Sequence, residues 1–174
     1  ITATSSAVDV ALFDSSVVHD IEITFDQDAY DEMIEIFTTT SEKEWIEATI
    51  TIDGTTFVEA GLRLKGNSSL FGLTTATSGN PEDLPWLIRL DKYVDDQSYQ
   101  GLTDIVIRST SSETAMNEAV AQDLLAATGL ANQDAIATTF TINGGETELR
   151  LAMEHPDDVW DDANFDNDDG LLYK

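Results

Sequence analysis

The few basic residues of this chain are the ones most able to do chemistry. Eight Lys and Arg stand against 34 Asp and Glu. Five of the eight, Arg63, Lys65, Arg89, Lys92 and Arg108, fall in segments that read as core strands or at their ends. One reading is a set of cations facing a phosphate-bearing ligand, because guanidinium and ammonium groups make charge-assisted hydrogen bonds to phosphate oxygens. The other is internal ion pairing with the many carboxylates, the commoner fate of any single cation. Arg63 and Lys65 share one strand face and run into Gly66-Asn67-Ser68-Ser69. Backbone donors in such a bend, beside two cations, suit an anion. No Walker-type or G-x-G-x-x-G pattern accompanies them. Asn67-Ser68-Ser69 also fits an N-glycosylation sequon.

Other chemistries find less support. The chain has no cysteine, which excludes disulfides, thiolate zinc sites and a cysteine nucleophile. His19 and His155 are its only histidines, and their separation does not suggest a pair. No G-x-S-x-G occurs, so no hydrolase triad is indicated. No metal ligand is assigned. The run Asp157–Asp169 invites calcium, but with Gly170 at position 6 of an EF-hand loop, position 1 is Phe165. The run reads as a solvated acidic loop with adventitious cation binding; a calcium-dependent structural domain is a further reading.

The formal net charge is −26 over 174 residues. Such a surface repels nucleic acid and anionic lipid, which excludes both as partners. High salt, divalent cations or a basic partner would make the charge tolerable. Of these, a salt-adapted solvated surface is the simplest, since the Debye length falls to about 3 Å at 1 M salt. No apolar stretch approaches a membrane span, so no membrane insertion is expected. The segment Ile1-Thr-Ala-Thr-Ser-Ser-Ala7 is not a signal peptide. It reads as the stretch just after one, or as a linker. Residues 1–17 are expected to form an arm, and 18–174 one domain.

The elements that must hold the cations are set by periodicity. Ile21, Ile23 and Phe25 alternate as a half-buried strand. Asp26 can cap a helix in which Tyr30, Met33, Ile34 and Phe37 form the apolar stripe. Ile46–Ile52 and Thr55–Lys65 flank Asp53-Gly54, a strong hairpin signal. On the return strand Val58, Ala60, Leu62 and Leu64 share one face, and Glu59, Gly61, Arg63 and Lys65 the other. A long polar loop, Gly66–Pro85, leads to strands at Trp86–Tyr93 and Asp104–Arg108. The spacing predicts a helix from Ser112 to Thr128, capped by Ser111 or Ser112 and stopped at Gly129, with Met116, Ala119, Val120 and Leu124 as its stripe. A second hairpin, Ala135–Ile142 and Thr147–Glu154, turns at Asn143-Gly144-Gly145. Pro156 opens a short helical turn. The expected fold is α+β: a mostly antiparallel sheet of about six strands, with one main helix and shorter ones on one face.

Several segments, taken in order, resemble the spore-coat CotH kinase family. They are Gly61-Leu-Arg-Leu-Lys-Gly-Asn-Ser-Ser69, Pro85-Trp-Leu-Ile-Arg-Leu-Asp-Lys-Tyr93, Ser98-Tyr-Gln-Gly-Leu102, Leu124-Leu-Ala-Ala-Thr-Gly129, Ile142-Asn-Gly144, and Met153-Glu154 leading to Gly170-Leu-Leu-Tyr-Lys174. The resemblance runs from about Leu12 to the end. It implies a kinase-N-lobe-like fold and a secreted or coat-associated atypical kinase. Such a kinase uses ATP with Mg2+ or Mn2+ to phosphorylate Ser/Thr on extracellular or surface proteins. It also implies that Arg63, Lys65, Asn67, Ser68 and Arg89 lie near phosphates. Glu118 would orient a strand cation, and Glu154 would lead into the hinge beside adenine. The catalytic and metal-binding Asp residues would come after Lys174, so this piece alone is expected to be inactive and to need a C-terminal part. The departures are Leu87 for an expected Lys, Asn117 for an Arg, and Glu148 and Arg150 for a Gly and a Tyr. The departures at Leu87 and Asn117 favour the alternative, a non-enzymatic extracellular structural or adhesive module.

Overall fold

The structure, a computed structural model, describes residues 10–74, 79–109 and 116–165. The expected cap at Ser111 or Ser112, the last part of the acidic run and the final Gly170–Lys174 segment lie outside them. The elements are β1 (His19–Phe25), α1 (Gln27–Thr40), β2 (Ile46–Ile52), β3 (Thr55–Leu64), β4 (Trp86–Arg89), β5 (Asp104–Arg108), α2 (Asn117–Ala127), β6 (Ala135–Ile142), β7 (Glu148–Glu154) and α3 (Asp158–Asn164).

The seven strands close into a barrel in the order β1-β2-β3-β4-β5-β7-β6, and β6 returns to pair with β1 in parallel. This corrects the expected α+β, kinase-N-lobe-like sheet with helices on one face. The reason lies in the apolar rows. Ile21 and Ile23 of β1, Ile50 and Ile52 of β2, Leu62 and Leu64 of β3, and Phe140 and Ile142 of β6 all point inward and bury one another. The sheet thereby buries its apolar face against itself rather than against a helical layer, and closure removes its edges. The three α-helices among the described residues have only 14, 11 and 7 residues.

Local chemistry fixes the connections. Asp53 and Gly54 both take positive φ, 50° and 81°, as the tight β2–β3 turn requires. Asp26 caps α1, accepting from the Asp28 and Ala29 backbone N–H groups. From α1, Tyr30 stacks on Phe25 at 5.2 Å and meets Trp86 at 6.2 Å, closing the barrel end where β1 finishes and β4 begins. Two expectations about faces are corrected. Val58 is exposed, because the β2–β3 register shifts between Ala48 and Ile50 and Glu59 adopts φ 53°, a bulge that turns Val58 outward. Within the expected stripe on α2, Ala119 is buried, while Val120 and Leu124 are 62% and 66% exposed.

His19 and Arg150 are buried polar groups that sit among the apolar rows. At the start of β1, the His19 Nδ1 lies 2.6 Å from Asp53 Oδ2, and Tyr99 donates its O–H to the same oxygen at 2.8 Å. Asp20 donates its backbone N–H to the other carboxylate oxygen. Burial pushes the Asp53 carboxyl up, but these hydrogen bonds outweigh it and the net shift is downward. A depressed carboxyl contributes stability that is present above its unfolded value, about 3.9, and disappears as pH falls through the folded value. Asp53→Asn should therefore flatten the acid limb of stability, and urea midpoints between about pH 5 and 2 measure it. An unchanged slope would refute the assignment.

Arg150, on β7, is 1% exposed. It donates to the Leu84 carbonyl, while its carboxylate neighbours Asp83 and Glu148 lie at 3.9 Å. Among the described residues its Nε and Nη1 make no hydrogen bond. Burial lowers its pKa. Replacing an imperfectly satisfied buried charge with an apolar side chain of similar length is often neutral or stabilising by about 1–4 kcal/mol. Arg150→Met should accordingly melt at the same or a higher temperature. A clear drop would show that Arg150 holds the barrel together.

Candidate anion-binding site

The site forms on the outside of the barrel, across β3, β4 and β5. Its floor is a second apolar cluster of outward-facing residues, Leu87, Val106 and Met153, against which the half-buried Trp45 packs. Trp45 precedes β2 and carries the cations. The Arg63 guanidinium lies 4.5 Å from its ring centroid, Lys92 Nζ 5.2 Å and Arg89 5.7 Å. Cation–π contacts contribute about 0.5–1 kcal/mol at exposed positions and about 2 kcal/mol when desolvated. Gly61 permits the arrangement: a Cβ there would lie 2.5 Å from Lys92 Cγ and 2.9 Å from Trp45 Cε3.

The cations press on one another. Burial and then Arg89 lower the Arg63 pKa, and burial and then Arg63 lower that of Lys43. Arg63 Nε is buried without a hydrogen-bond partner among the described residues. Lys43 donates to the Gly66 carbonyl and, at 2.9 Å, to Asn67 Oδ1. Gly66 takes φ +99°, and a Cβ there would strike Ser69 Oγ, so this tight bend requires glycine. Lys65 Nζ lies 3.1 Å from His155 Nε2. Five of the eight Lys and Arg thus gather along one wall.

Carboxylates border this wall. Arg89 donates to both oxygens of the buried Asp104, at 2.8 and 2.7 Å, and this pairing raises its pKa. Asp104, His155 and Asp157 bring one donor atom each within 4.8 Å of one another. A cavity of about 100 Å³ opens beside them, lined also by Glu154 and Trp160.

The expected phosphate ligands are distributed unevenly. Arg63 and Arg89 meet at Trp45, and Lys65 reaches the same wall. Asn67 is occupied with Lys43, and the exposed Ser68 begins a 3-10 turn, Ser68–Leu70, whose Leu70 is buried. Glu118 accepts from Arg108 Nε at 2.8 Å, and no described ring contact or hydrogen bond joins that pair to Trp45. Burial raises the Glu154 carboxyl, which accepts from the Asp134 backbone N–H and so fixes the approach to β6. Sequence reasoning missed Lys43, Trp45, Asp104, His155 and Asp157 as members. The β4–β5 register, Arg89 opposite Asp104, is the signal that would have found one of them.

A scan against models of known protein families and a search of curated proteins both return no match for this chain.

Proposed function

We propose that this chain binds the phosphate groups of an anionic ligand, as the nucleotide-binding part of an extracellular CotH-like atypical protein kinase. The observation that supports this is the convergence at Trp45. Two segments that carry the resemblance, residues 61–69 and 85–93, bring Arg63, Lys65, Arg89 and Lys92 to one wall of a chain of net charge −26. Phosphoryl transfer relies on positioned cations and metal for charge stabilisation. The cations are here. Transfer to Ser/Thr, with ATP and Mg2+ or Mn2+, is a property we assign to the whole protein.

A second reading, a non-enzymatic extracellular structural or adhesive module, draws on three residues. Asp104 already engages Arg89, Glu118 already engages Arg108, and Leu87 leaves an apolar side chain at the centre of the floor.

Calorimetric titration with pyrophosphate in chelator, and with ATP and Mn2+, separates the two. The phosphate-binding reading expects saturable binding with an unusual salt profile. At low salt, with a Debye length of about 30 Å, the whole acidic surface repels the anion. Near 0.1 M salt, at about 10 Å, that repulsion is screened while the adjacent cations still act. Affinity should therefore pass through a maximum as salt rises. No binding at any salt, with the fold intact by circular dichroism, would leave the structural-module reading.

A further inference from the structure

We propose that Asp104, His155 and Asp157 form a divalent-cation site that competes with Arg89 for Asp104, so that metal binding releases Arg89 toward the anion-binding wall. The cation site stands on its own geometry; its consequence for anions rests on the phosphate-binding reading above.

The three donors come from two places, the start of β5 and the segment after β7, and lie within 4.8 Å of one another. Two oxygens and one nitrogen suit Mn2+ or Zn2+ better than Mg2+ or Ca2+, which prefer oxygen alone. A separate observation concerns His155. Its Nε2 faces the Lys65 ammonium at 3.1 Å. A hydrogen bond from the Lys65 ammonium would be accepted by the lone pair of this nitrogen, the same lone pair that a metal would take.

The present occupants of these donors are protein cations. Arg89 holds Asp104, and Lys65 faces His155. One divalent ion replaces two single charges, so the local balance is preserved when both side chains leave. Arg89 has room to move: its side chain is 42% exposed, and the Trp45 ring is 5.7 Å from its guanidinium. Cation and anion binding are then linked, each strengthening the other.

The chain's two histidines make the test selective, because His19, 1% exposed and held by Asp53, serves as an internal control. In about 1 M KCl, which screens the general acidic surface, substoichiometric Mn2+ should broaden the His155 imidazole C–H signals in NMR spectra before those of His19. Asp157→Asn should weaken this by about tenfold or more. Asn keeps the cap that Asp157 gives Trp160 N–H, so α3 is retained. Equal broadening of both histidines, or none, or no effect of Asp157→Asn, overturns the site.

The linkage is read with sulfate, monitored at the Trp45 indole N–H in about 0.1 M KCl. Saturating Mn2+ should tighten sulfate binding about fivefold or more, and Asp157→Asn should abolish the gain. If Mn2+ selects His155 and sulfate binds equally with and without it, the release of Arg89 is refuted. If Mn2+ selects His155 and sulfate binds in neither condition, the phosphate-binding reading fails and takes the linkage with it, while the cation site stands.

Discussion

Gly61→Ala should lower both stability and anion affinity, although it adds a single methyl group on a strand. Gly61 pairs with Glu47 of β2 and Arg89 of β4, in the middle of the wall. The new Cβ would sit 2.6 Å from Lys92 Cβ and 2.5 Å from its Cγ. These atoms are at the root of that side chain, so a rotamer change at its tip relieves nothing. Trp45 Cε3, at 2.9 Å, would also be displaced. Overpacking of this kind costs about 1–3 kcal/mol, or several degrees in Tm for a domain of this size. The better strand propensity of Ala offsets only a fraction of it. Once Trp45 shifts, Arg63, Arg89 and Lys92 lose their common support, and pyrophosphate affinity should fall about tenfold, the equivalent of about 1.4 kcal/mol. Lys92→Gly should restore part of the lost stability but not the affinity, giving a clear coupling in the double-mutant cycle. Unchanged Tm and affinity in Gly61→Ala would mean that the close approach has no consequence.

What could be read from the sequence is what is local. The Asp53-Gly54 turn, the Asp26 cap and the buried Tyr30, Met33 and Ile34 each depend on residues within a turn or two of one another. So does the alternation that puts Gly61, Arg63 and Lys65 on one face. The barrel does not. Its closure pairs β1 with β6, for example Ile21 with Phe140, across more than half the chain. Alternation says which side chains share a face, but not which strand lies alongside, and an open sheet and a closed one have the same pattern. The bulge at Glu59 defeated the reading of Val58 for a related reason: one extra residue inverts the faces beyond it. On α2, a helical apolar stripe was legible, but its exposure was not, since periodicity does not say what covers a face. At the site, Arg63 and Arg89 stood out because cations are scarce. Trp45 and His155 did not, because their importance comes from residues that are remote in sequence.

Arg63→Ala should reduce pyrophosphate affinity about 10–150-fold while leaving the fold nearly unchanged. Among the described residues Arg63 enters no salt bridge, its nearest strong contact is the Trp45 ring at 4.5 Å, and its Nε is buried without a partner. Truncation therefore removes a cation–π contact, worth about 0.5–2 kcal/mol, and also removes a desolvation cost and the repulsion from Arg89 and Lys43. These effects oppose each other, so Tm should move by only a few degrees. Anion binding has no such compensation. Hydrogen bonds to a charged group contribute about 1.5–3 kcal/mol, and a phosphate at Trp45 would lose the guanidinium fork outright. Arg63→Lys should fall between, keeping the charge but not the bidentate geometry. Arg108→Ala is the control. It removes an equal charge, but from a pair with Glu118 in which both side chains are about a third exposed, and exposed pairs contribute little. Calorimetry on the three variants at one salt concentration orders them: Arg108→Ala near the unmodified protein, Arg63→Lys weaker, Arg63→Ala weakest. If Arg63→Ala and Arg108→Ala weaken binding equally, the anion responds to total charge and not to the wall around Trp45.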